Sequence, residues 1–390
     1  MTTRSNQLLG VVHAHPGVTR ADAARLLGIG TGATTELVAR LSQAHLLAEV
    51  PARPSGSRGR PTTVLVPHSE GPLVLAAEIT HEGWRLQVTE LGGAVLTTIA
   101  AGHAPADRPP AWPEVVAAVH AAIGRLREQY PGRLRALGVS VPGTVSRSLR
   151  LDATNVGWHD VDLTSLWPSA ADAGPTPVFV AGNDASLAAA AESARGAATG
   201  ARVALHLLIA GGLGGAVVDQ GRLLNGASGF AGEFGHMPFG DPAIPCPCGA
   251  HGCWGTAVDG TALARHLGHR PPRDPVTYAR RVIATAADPD ARAGGDGGAE
   301  RVAVRAVAAT LGRGIAGLVN ALDADLVTLG GVGAQLLAAA EREIQTSYRA
   351  GLMEIRRSSP PPIVAAALGA DGPIAGAAEE AWSSLIPRLA

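Results

Sequence analysis

Apolar residues recur at helical spacing three times in residues 1–50. Residues 8–12 mark a first helix that Pro16 ends, and Thr19 is placed to cap a second helix. A glycine-bearing turn at residues 28–30 separates this second helix from a third one, predicted over residues 31–44. Two helices around such a turn are typical of the helix-turn-helix, whose second member lies in the major groove of DNA.

Two short apolar runs, residues 46–50 and 62–66, flank a loop that contains Arg58-Gly-Arg60-Pro. They predict the two strands of a wing, and arginine is favoured in a narrow minor groove because of its negative potential. The alternative is an ordinary helical bundle followed by a solvated linker. The predicted DNA contacts are Thr31, Thr34, Thr35 and Arg40 on the third helix, with Arg58 and Arg60 on the wing.

Charge is unevenly distributed along the chain. Residues 1–66 carry seven arginines against Asp22, Glu36 and Glu49, a net charge of +4. Because the whole chain has a net charge of −1, the remainder carries −5. A small basic module ahead of an acidic body favours the DNA-binding interpretation over the linker.

The body begins near residue 71 and repeats a β-β-β-α-β order, which indicates an α/β fold. Strands are predicted over residues 73–79, 84–88, 92–99, 136–141 and 178–181, and a helix over 112–129. The second half holds a helix over 185–197, a hairpin over 203–218, a helical insertion over 267–300, a long helix over 302–323, a strand over 326–331 and a closing helix over 373–384. We therefore expect a DNA-binding domain at 1–66 and a two-lobed body at 71–390, split near 183, with the closing helix returning to the first lobe.

All three cysteines of the chain, Cys246, Cys248 and Cys253, lie within one glycine- and proline-rich loop, and His236 stands just upstream. Three thiolates and one imidazole complete a tetrahedral Zn²⁺ shell that leaves no position for water, so such a site is structural. Three unrelated cysteines, or a disulfide with one thiol left over, are the alternatives. His251 is an alternative fourth ligand, but it sits inside the tight turn between the last two cysteines.

No signal-peptide pattern opens the chain, and the apolar uncharged run over residues 203–218 is shorter than a membrane span and contains four glycines. Thiols arranged for a metal also suit a reducing compartment. We expect a cytoplasmic protein with no membrane contact.

The stretch from Gly226 to Cys253, in which Glu233-Phe-Gly-His236 leads into the cysteine loop, resembles the signature of the ROK family of repressors and sugar kinases. The resemblance extends over most of residues 70–390. It implies a two-lobed actin/sugar-kinase-like (ribonuclease H-like) body with a zinc loop. Many ROK repressors, of the xylose-repressor and N-acetylglucosamine-repressor type, carry a similar N-terminal winged helix-turn-helix.

The resemblance also implies a sugar pocket between the lobes. Asp184 matches the general base of the family's kinases, and Asn183 and Asn155 match residues that contact sugar hydroxyls. Glu233 and His236 match a pair that straddles those hydroxyls, where the histidine serves the zinc or the sugar according to the member. Asn183 and Asp184 also suit a plain helix cap, and the two roles are compatible.

Two departures from the family pattern bear on function. Gly255 stands where the family has a sugar-binding glutamate, so we expect modest affinity or a different sugar, with Trp254 as a stacking face instead. The phosphate hairpin of the kinases, Asp-x-Gly-Gly-Thr, corresponds to residues 78–82, where both glycines are missing and Glu82 adds a carboxylate. Its repulsion of phosphate in a low-dielectric cleft argues against ATP-dependent phosphorylation.

The sequence thus predicts a transcriptional regulator, acting mainly as a repressor, with structural Zn²⁺ as its cofactor and no catalytic residue. Its partners are double-stranded operator DNA, a carbohydrate effector and further copies of itself, as a homodimer or homotetramer. Two alternatives remain. One is an active sugar kinase with a DNA-binding appendage, against which residues 78–82 argue; the other is a regulator that answers to a protein partner, which Gly255 leaves open.

Overall fold

Three helices and a two-stranded ribbon form the N-terminal unit. The structure is a computed structural model that describes residues 3–52, 63–103, 110–167, 178–288 and 298–389. The helices are α1 (Arg4–Ala14), α2 (Arg20–Leu27) and α3 (Thr31–Gln43), and the strands β1 (Leu47–Pro51) and β2 (Thr63–Pro67) pair antiparallel. Thr19 caps α2 by accepting a hydrogen bond from the backbone N–H of Asp22, and Gly28 ends α2 in the left-handed conformation, as the sequence predicts.

A five-stranded mixed sheet forms the first lobe. Its strands are β3 (Leu73–Ile79), β4 (Gly83–Thr89), β5 (Val95–Gly102), β6 (Leu134–Val141) and β10 (Val178–Asn183), and the helices of this lobe are α4 (Trp112–Gln129) and α5 (Asp184–Arg195). Between β6 and β10 the chain forms a separate small antiparallel sheet of β7 (Thr144–Val145), β8 (Arg150–Ala153) and β9 (Trp158–Asp162). The strand order is β10-β6-β3-β4-β5, with β10, β6 and β3 parallel. The predicted third strand starts three residues late because Gly92 and Gly93 form a turn with positive φ.

The second lobe repeats the arrangement. It contains β11 (Val203–Ile209), β12 (Leu213–Asp219), β13 (Arg222–Leu223), α6 (Gly260–His266), α7 (Pro275–Ala287), α8 (Gly298–Leu322), β14 (Leu326–Gly331), α9 (Val332–Gly351), α10 (Glu354–Arg357) and β15 (Ile363–Ala365). The strand order is β13-β12-β11-β14-β15. The 20-residue helix α9 is absent from the sequence prediction, and it packs along α8.

Helix α8 is the one helix within the described ranges whose length and composition suffice for a membrane span. Of its most apolar 18-residue window, 61% is buried inside the protein. Val307, Leu311 and Ile315 on this helix are fully buried in the core of the second lobe. The apolar face of α8 is therefore covered by the lobe itself.

The closing helix α11 (Gly372–Leu385) packs against strands β3, β6 and β10 of the first lobe and against α5. Gly376 permits a close crossing, since a Cβ built there would lie 1.8 Å from the carbonyl oxygen of Leu187. The far end of α11 enters a third core, in which Trp382 packs with Leu8 and Leu9 of α1. The N-terminal unit thus shares a core with the first lobe instead of standing apart from it.

Candidate functional site

The described residues include one group of side chains arranged to hold a metal ion, and it is the predicted one. Ligand atoms of His236, Cys246, Cys248 and Cys253 all lie within 4.8 Å of one another. Cys253 is buried, whereas Cys248 is exposed, so the group closes the loop onto the second lobe. The four residues are thus positioned together, and His251 stays outside the group.

The spacing of these atoms matches a tetrahedral zinc site. With Zn–S bonds of roughly 2.3 Å, two sulfurs on one tetrahedron are about 3.8 Å apart. The Sγ atoms of Cys248 and Cys253 are 3.7 Å apart, and Cys246 Sγ lies 3.7 Å from His236 Nδ1. Four soft or borderline donors at this separation suit Zn²⁺ better than an oxygen-seeking cation.

His236 lies between the cysteine loop and Glu233. Its Nδ1 faces the thiols, while its Nε2 lies 3.7 Å from a carboxylate oxygen of Glu233. Both side chains are partly exposed, with 47% and 39% of their surfaces accessible. Metal-ligating histidines characteristically present their second nitrogen to a carboxylate, which fixes the orientation of the ring. The geometry would therefore give a metal ion Nδ1 and leave Nε2 facing Glu233.

Glycines bring the Glu233 segment to the amino end of α5. A Cβ at Gly232 would lie 2.2 Å from the carbonyl oxygen of Gly215 on β12, so only glycine permits this approach. On the neighbouring residue of β12, a Cβ at Gly214 would meet Ala185 of α5 at 2.8 Å. The backbone of β12 is thus the spacer between Glu233 and the start of α5.

Asn183 and Asp184 lie where β10 ends and α5 begins. Asn183 Oδ1 accepts hydrogen bonds from the backbone N–H groups of Ala185 and Ser186, at 2.9 and 3.3 Å, and its Nδ2 donates to the Gly143 carbonyl at 2.8 Å. Asp184 accepts from the Ala185 N–H at 2.8 Å through one oxygen. The cap interpretation of the sequence therefore describes Asn183, whose polar atoms are occupied by the protein.

Asp184 lies near two further carboxylates, those of Glu78 and Glu233. Its pKa is raised to about 6, mainly because the carboxyl group is buried. The nearby carboxylates of Glu78 and Glu233 also raise this pKa, whereas the hydrogen bond from Ala185 opposes the rise. Burial also raises the pKa of Glu233, which His236 partly offsets. A group of carboxylates of this kind offers strong hydrogen-bond acceptors.

The remaining pocket predictions fare differently. Asn155 lies in a single 3-10 turn, Thr154–Val156, just after β8, and its side chain is outside the described residues. The stacking prediction for Trp254 is wrong, because the indole is fully buried in the second-lobe core, in a slot opened by Gly314. Gly255 is buried as well, and a Cβ there would lie 3.3 Å from the Gly235 carbonyl.

An arginine that the sequence analysis did not single out lies on the β3–β4 hairpin, which contains residues 78–82. Arg85 donates through Nε to Glu78 at 2.7 Å, through Nη1 to Asp371 at 2.7 Å, and through Nη2 to the Ala370 carbonyl at 2.8 Å. It ties the hairpin of the first lobe to the start of α11. Glu82 points outward, with 75% of its side chain exposed.

The predicted DNA contacts divide into two groups. Thr31, Thr35 and Arg40 are exposed on α3, and Arg40 also donates a 2.7 Å hydrogen bond to Ser5 of α1. Thr34 is fully buried, and its hydroxyl donates to the Gly30 carbonyl at 3.1 Å, so the prediction that it contacts DNA is wrong. Arg58 and Arg60 lie outside the described residues.

Comparison with known proteins identifies the family. A family model described as ROK family matches residues 89–382. The chain belongs to the ROK family. A glucokinase of Halalkalibacterium halodurans is 32% identical over 206 residues, 51% of this chain and 61% of its own length. The xylose repressor of Bacillus subtilis is 26% identical over 262 residues, 67% of this chain and 66% of its own length. The matched stretches thus span less than two thirds of these ROK relatives.

Solved ROK structures resemble the chain to different extents. A ROK family transcriptional regulator, described as a homologue of the E. coli MLC protein, covers 99% of this chain and 96% of its own, with a TM-score of 0.74 and 23% identity. A ROK hexokinase from Thermus thermophilus covers 80% of this chain and 99% of its own, with a TM-score of 0.62 and 29% identity. The body is therefore a ROK sugar-kinase-like α/β fold.

Proposed function

We propose that the protein is a DNA-binding transcriptional regulator, acting as a repressor, whose operator affinity is set by a carbohydrate bound between the two lobes. The observation that carries the proposal is the extent of the structural matches. The regulator structure matches 99% of this chain. The hexokinase structure matches only 80% of this chain, although 99% of the hexokinase itself is included in the match. The additional part of the chain is what a regulator needs and a kinase does not.

The N-terminal unit supports the DNA-binding part of the proposal. Helices α2 and α3, joined by the Gly28 turn, and the ribbon β1–β2 have the element order of a winged helix-turn-helix. Thr31, Thr35 and Arg40 are exposed on the helix that would enter the major groove. The wing would carry Arg58 and Arg60 to the adjacent minor groove. Binding as a homodimer or homotetramer would place two such helices in successive grooves.

The pocket supports the carbohydrate part. Asp184 starts α5, Glu233 is close enough to raise its pKa, and Nε2 of His236 lies 3.7 Å from Glu233. Asn183 orders the backbone there, with Asn155 as a further predicted contact. A carboxylate and an imidazole together offer both donors and acceptors, which is what sugar hydroxyls require. We propose that Zn²⁺ held by His236 and the three cysteines stabilises this wall of the pocket and takes no part in chemistry.

Arg85 supports a regulator over a kinase. Its guanidinium is bonded to two carboxylates and a carbonyl, so its charge is neutralised and unavailable to phosphate, and the hairpin carries the side chains of Thr80 and His81 where the kinases have glycine. The 32% identity to a glucokinase favours kinase activity as the second candidate.

Thermal shift against a panel of sugars, followed by operator titration with the sugar that binds, tests the proposal. A sugar that raises Tm and changes operator affinity supports it. Phosphorylation of that sugar in the presence of ATP would favour the kinase instead. If no sugar changes either Tm or operator affinity, the result would favour a regulator that responds to a protein partner.

A further inference from the structure

His13, the one histidine within α1, is held by three other elements. Its Nδ1 accepts a hydrogen bond from the backbone N–H of Gly92, in the β4–β5 turn, at 3.0 Å. This bond places the ring proton on Nε2, which lies 3.0 Å from a carboxylate oxygen of Glu379 on α11. The ring also packs beside Trp382, with centroids 5.5 Å apart. The orientation of α1 is thus fixed by polar contacts from the first lobe.

Arg195, the last residue of α5, completes the junction. Its Nε donates to the second oxygen of Glu379, and its Nη2 donates to the His13 carbonyl at 3.2 Å. The guanidinium lies over Gly93, where a built Cβ would come within 2.8 Å of it. Glu379 is 12% exposed, and although burial would raise its pKa, the hydrogen bonds from His13 and Arg195 hold that pKa below its ordinary value. The carboxylate is therefore ionised and shared between the DNA-binding unit and α5.

The opposite end of the same helix is where we place the proposed sugar site. Helix α5 begins at Asp184 and ends at Arg195, and its 12 residues span about 18 Å. Among the described residues, α5 contains both a predicted sugar contact and a side chain bonded to the N-terminal unit. A rigid helix of this length moves both ends together.

Helix α5 also lies between the lobes, where a change in their arrangement would act on it. Leu187 packs with Ala76 of β3 and with Ile374 of α11, on the side of the first lobe. Ala189 packs with Ala204 and Ala216 of the second-lobe sheet. The two lobes thus hold α5 by different faces.

Glu192 anchors the carboxyl end of α5 to the segment after β15. It is buried, and it accepts hydrogen bonds from the backbone N–H groups of Ala197 and Leu368, each at 2.7 Å. The residues that follow Leu368 include Ala370 and Asp371, which hold Arg85. The end of α5 that contacts His13 is therefore also tied to the segment that holds Arg85.

We propose that α5 transmits the state of the sugar pocket to the DNA-binding unit, and that Arg195 and Glu379 are the positioning residues that convert its movement into a new orientation of α1. The proposal rests on the proposed function. Sugar binding at Asp184 shifts α5 between the lobes, Arg195 shifts with it, and the bonds to Glu379 and His13 carry the shift to α1. Coupling of this kind needs two arrangements that the sugar and the operator favour differently.

The test compares full-length Arg195→Met and Glu379→Gln with the wild type, using D-glucose and D-xylose as probes and an operator selected from random duplexes. Arg342→Ala, an exposed arginine on α9, is the matched control. We expect both variants to keep the sugar-induced rise in Tm and a sugar-free operator Kd within about threefold of wild type, while the sugar-induced change in Kd falls from roughly fivefold or more toward onefold. Arg195→Lys, which keeps the charge, is expected to restore part of that change.

Unaltered coupling in both Arg195→Met and Glu379→Gln would overturn the proposal. If the wild type binds neither sugar, the proposed function fails for these probes. Hydrogen exchange measured without any ligand then tests the coupling through α5 separately. We then expect Arg195→Met to speed exchange of the Gly92 amide, which bonds His13 near the carboxyl end of α5. We also expect faster exchange of the Ala185 and Ser186 amides, at the amino end of α5. Faster exchange confined to the Gly92 end would show that α5 does not couple the two ends.

Discussion

Glu233 and His236 face each other at 3.7 Å, from a carboxylate oxygen to Nε2, while the other nitrogen of the same imidazole faces Cys246. One ring therefore belongs both to the cysteine cluster and to the cleft. The family resemblance left open whether this histidine serves the metal or the sugar. The geometry makes the two roles compatible, because each role uses a different nitrogen.

Loss of the metal is expected to affect the pocket as well as the fold. Cys248→Ser removes one of four ligands, so we expect zinc to fall from one to well under one ion per chain, Tm to fall by about 5 °C or more, and the sugar-induced Tm shift to shrink. His251→Gln, in the same loop but outside the cluster, is the control and is expected to retain the metal. Elemental analysis that finds no metal in the wild type would contradict the assignment.

No sugar phosphorylation is expected. The guanidinium of Arg85 is neutralised by Glu78 and Asp371, and the hairpin lacks the glycines that let backbone N–H groups approach a phosphate. A coupled assay with ATP and a hexose panel is expected to give background rates only. Turnover that Asp184→Ala abolishes would instead support the kinase.

The wing arginines are expected to supply affinity for DNA. Replacing Arg58 and Arg60 together by alanine is expected to weaken operator binding and to reduce the slope of log affinity against log salt by roughly 2, because each lost phosphate-region contact removes about 0.9. Arg342→Ala is again the control. If the double variant binds the operator like the wild type, the segment is a linker.

The pKa of Asp184, raised to about 6, predicts opposite pH dependences for sugar affinity and stability. A sugar hydroxyl needs the ionised carboxylate as acceptor, so affinity is expected to fall by up to about tenfold per pH unit below pH 6. Ionisation inside the fold is costly, so this residue's contribution to the unfolding free energy of the free protein grows as pH falls from about 6 toward the ordinary value of 3.8. Isothermal titration and chemical denaturation measure the two trends. Both trends are expected to be absent in Asp184→Asn, and their persistence there would assign them to another group.

Local signals predicted the elements well where capping residues and glycines mark the ends. Thr19 and Gly28 bound α2 as expected, and the preference for His236 over His251 beside the three cysteines agrees with the observed cluster. Helix α9 was missed because it follows Gly331 directly, without a side-chain cap, and is interrupted by the non-helical Ala340.

Long-range polar contacts were beyond the sequence. Arg85 and Asp371 are 286 positions apart, and Arg195 and Glu379 are 184 positions apart, so no spacing rule joins either pair. Thr34 was misassigned because one helical position decides between the outer face and the core of α3. Trp254 was misassigned because its burial depends on Gly314, on a helix far along the chain.

The central claim is that a carbohydrate held at Asp184 changes operator affinity. Asp184→Asn keeps the size and one acceptor of the side chain but removes its charge. It is expected to weaken sugar binding by about tenfold or more, since hydrogen bonds to a charged group contribute roughly 1.5–3 kcal/mol. Sugar-free operator binding is expected to stay intact, because the DNA contacts lie in residues 1–66.

The decisive measurement is an operator titration of wild type and Asp184→Asn, with and without the sugar that raises the wild-type Tm. The account predicts that the sugar changes the wild-type operator Kd by about fivefold or more, and that the variant needs a correspondingly higher sugar concentration for the same change. Loss of operator binding by Asp184→Asn without sugar would make the residue a structural cap. If no carbohydrate changes either Tm or operator Kd of the wild type, the claim is contradicted.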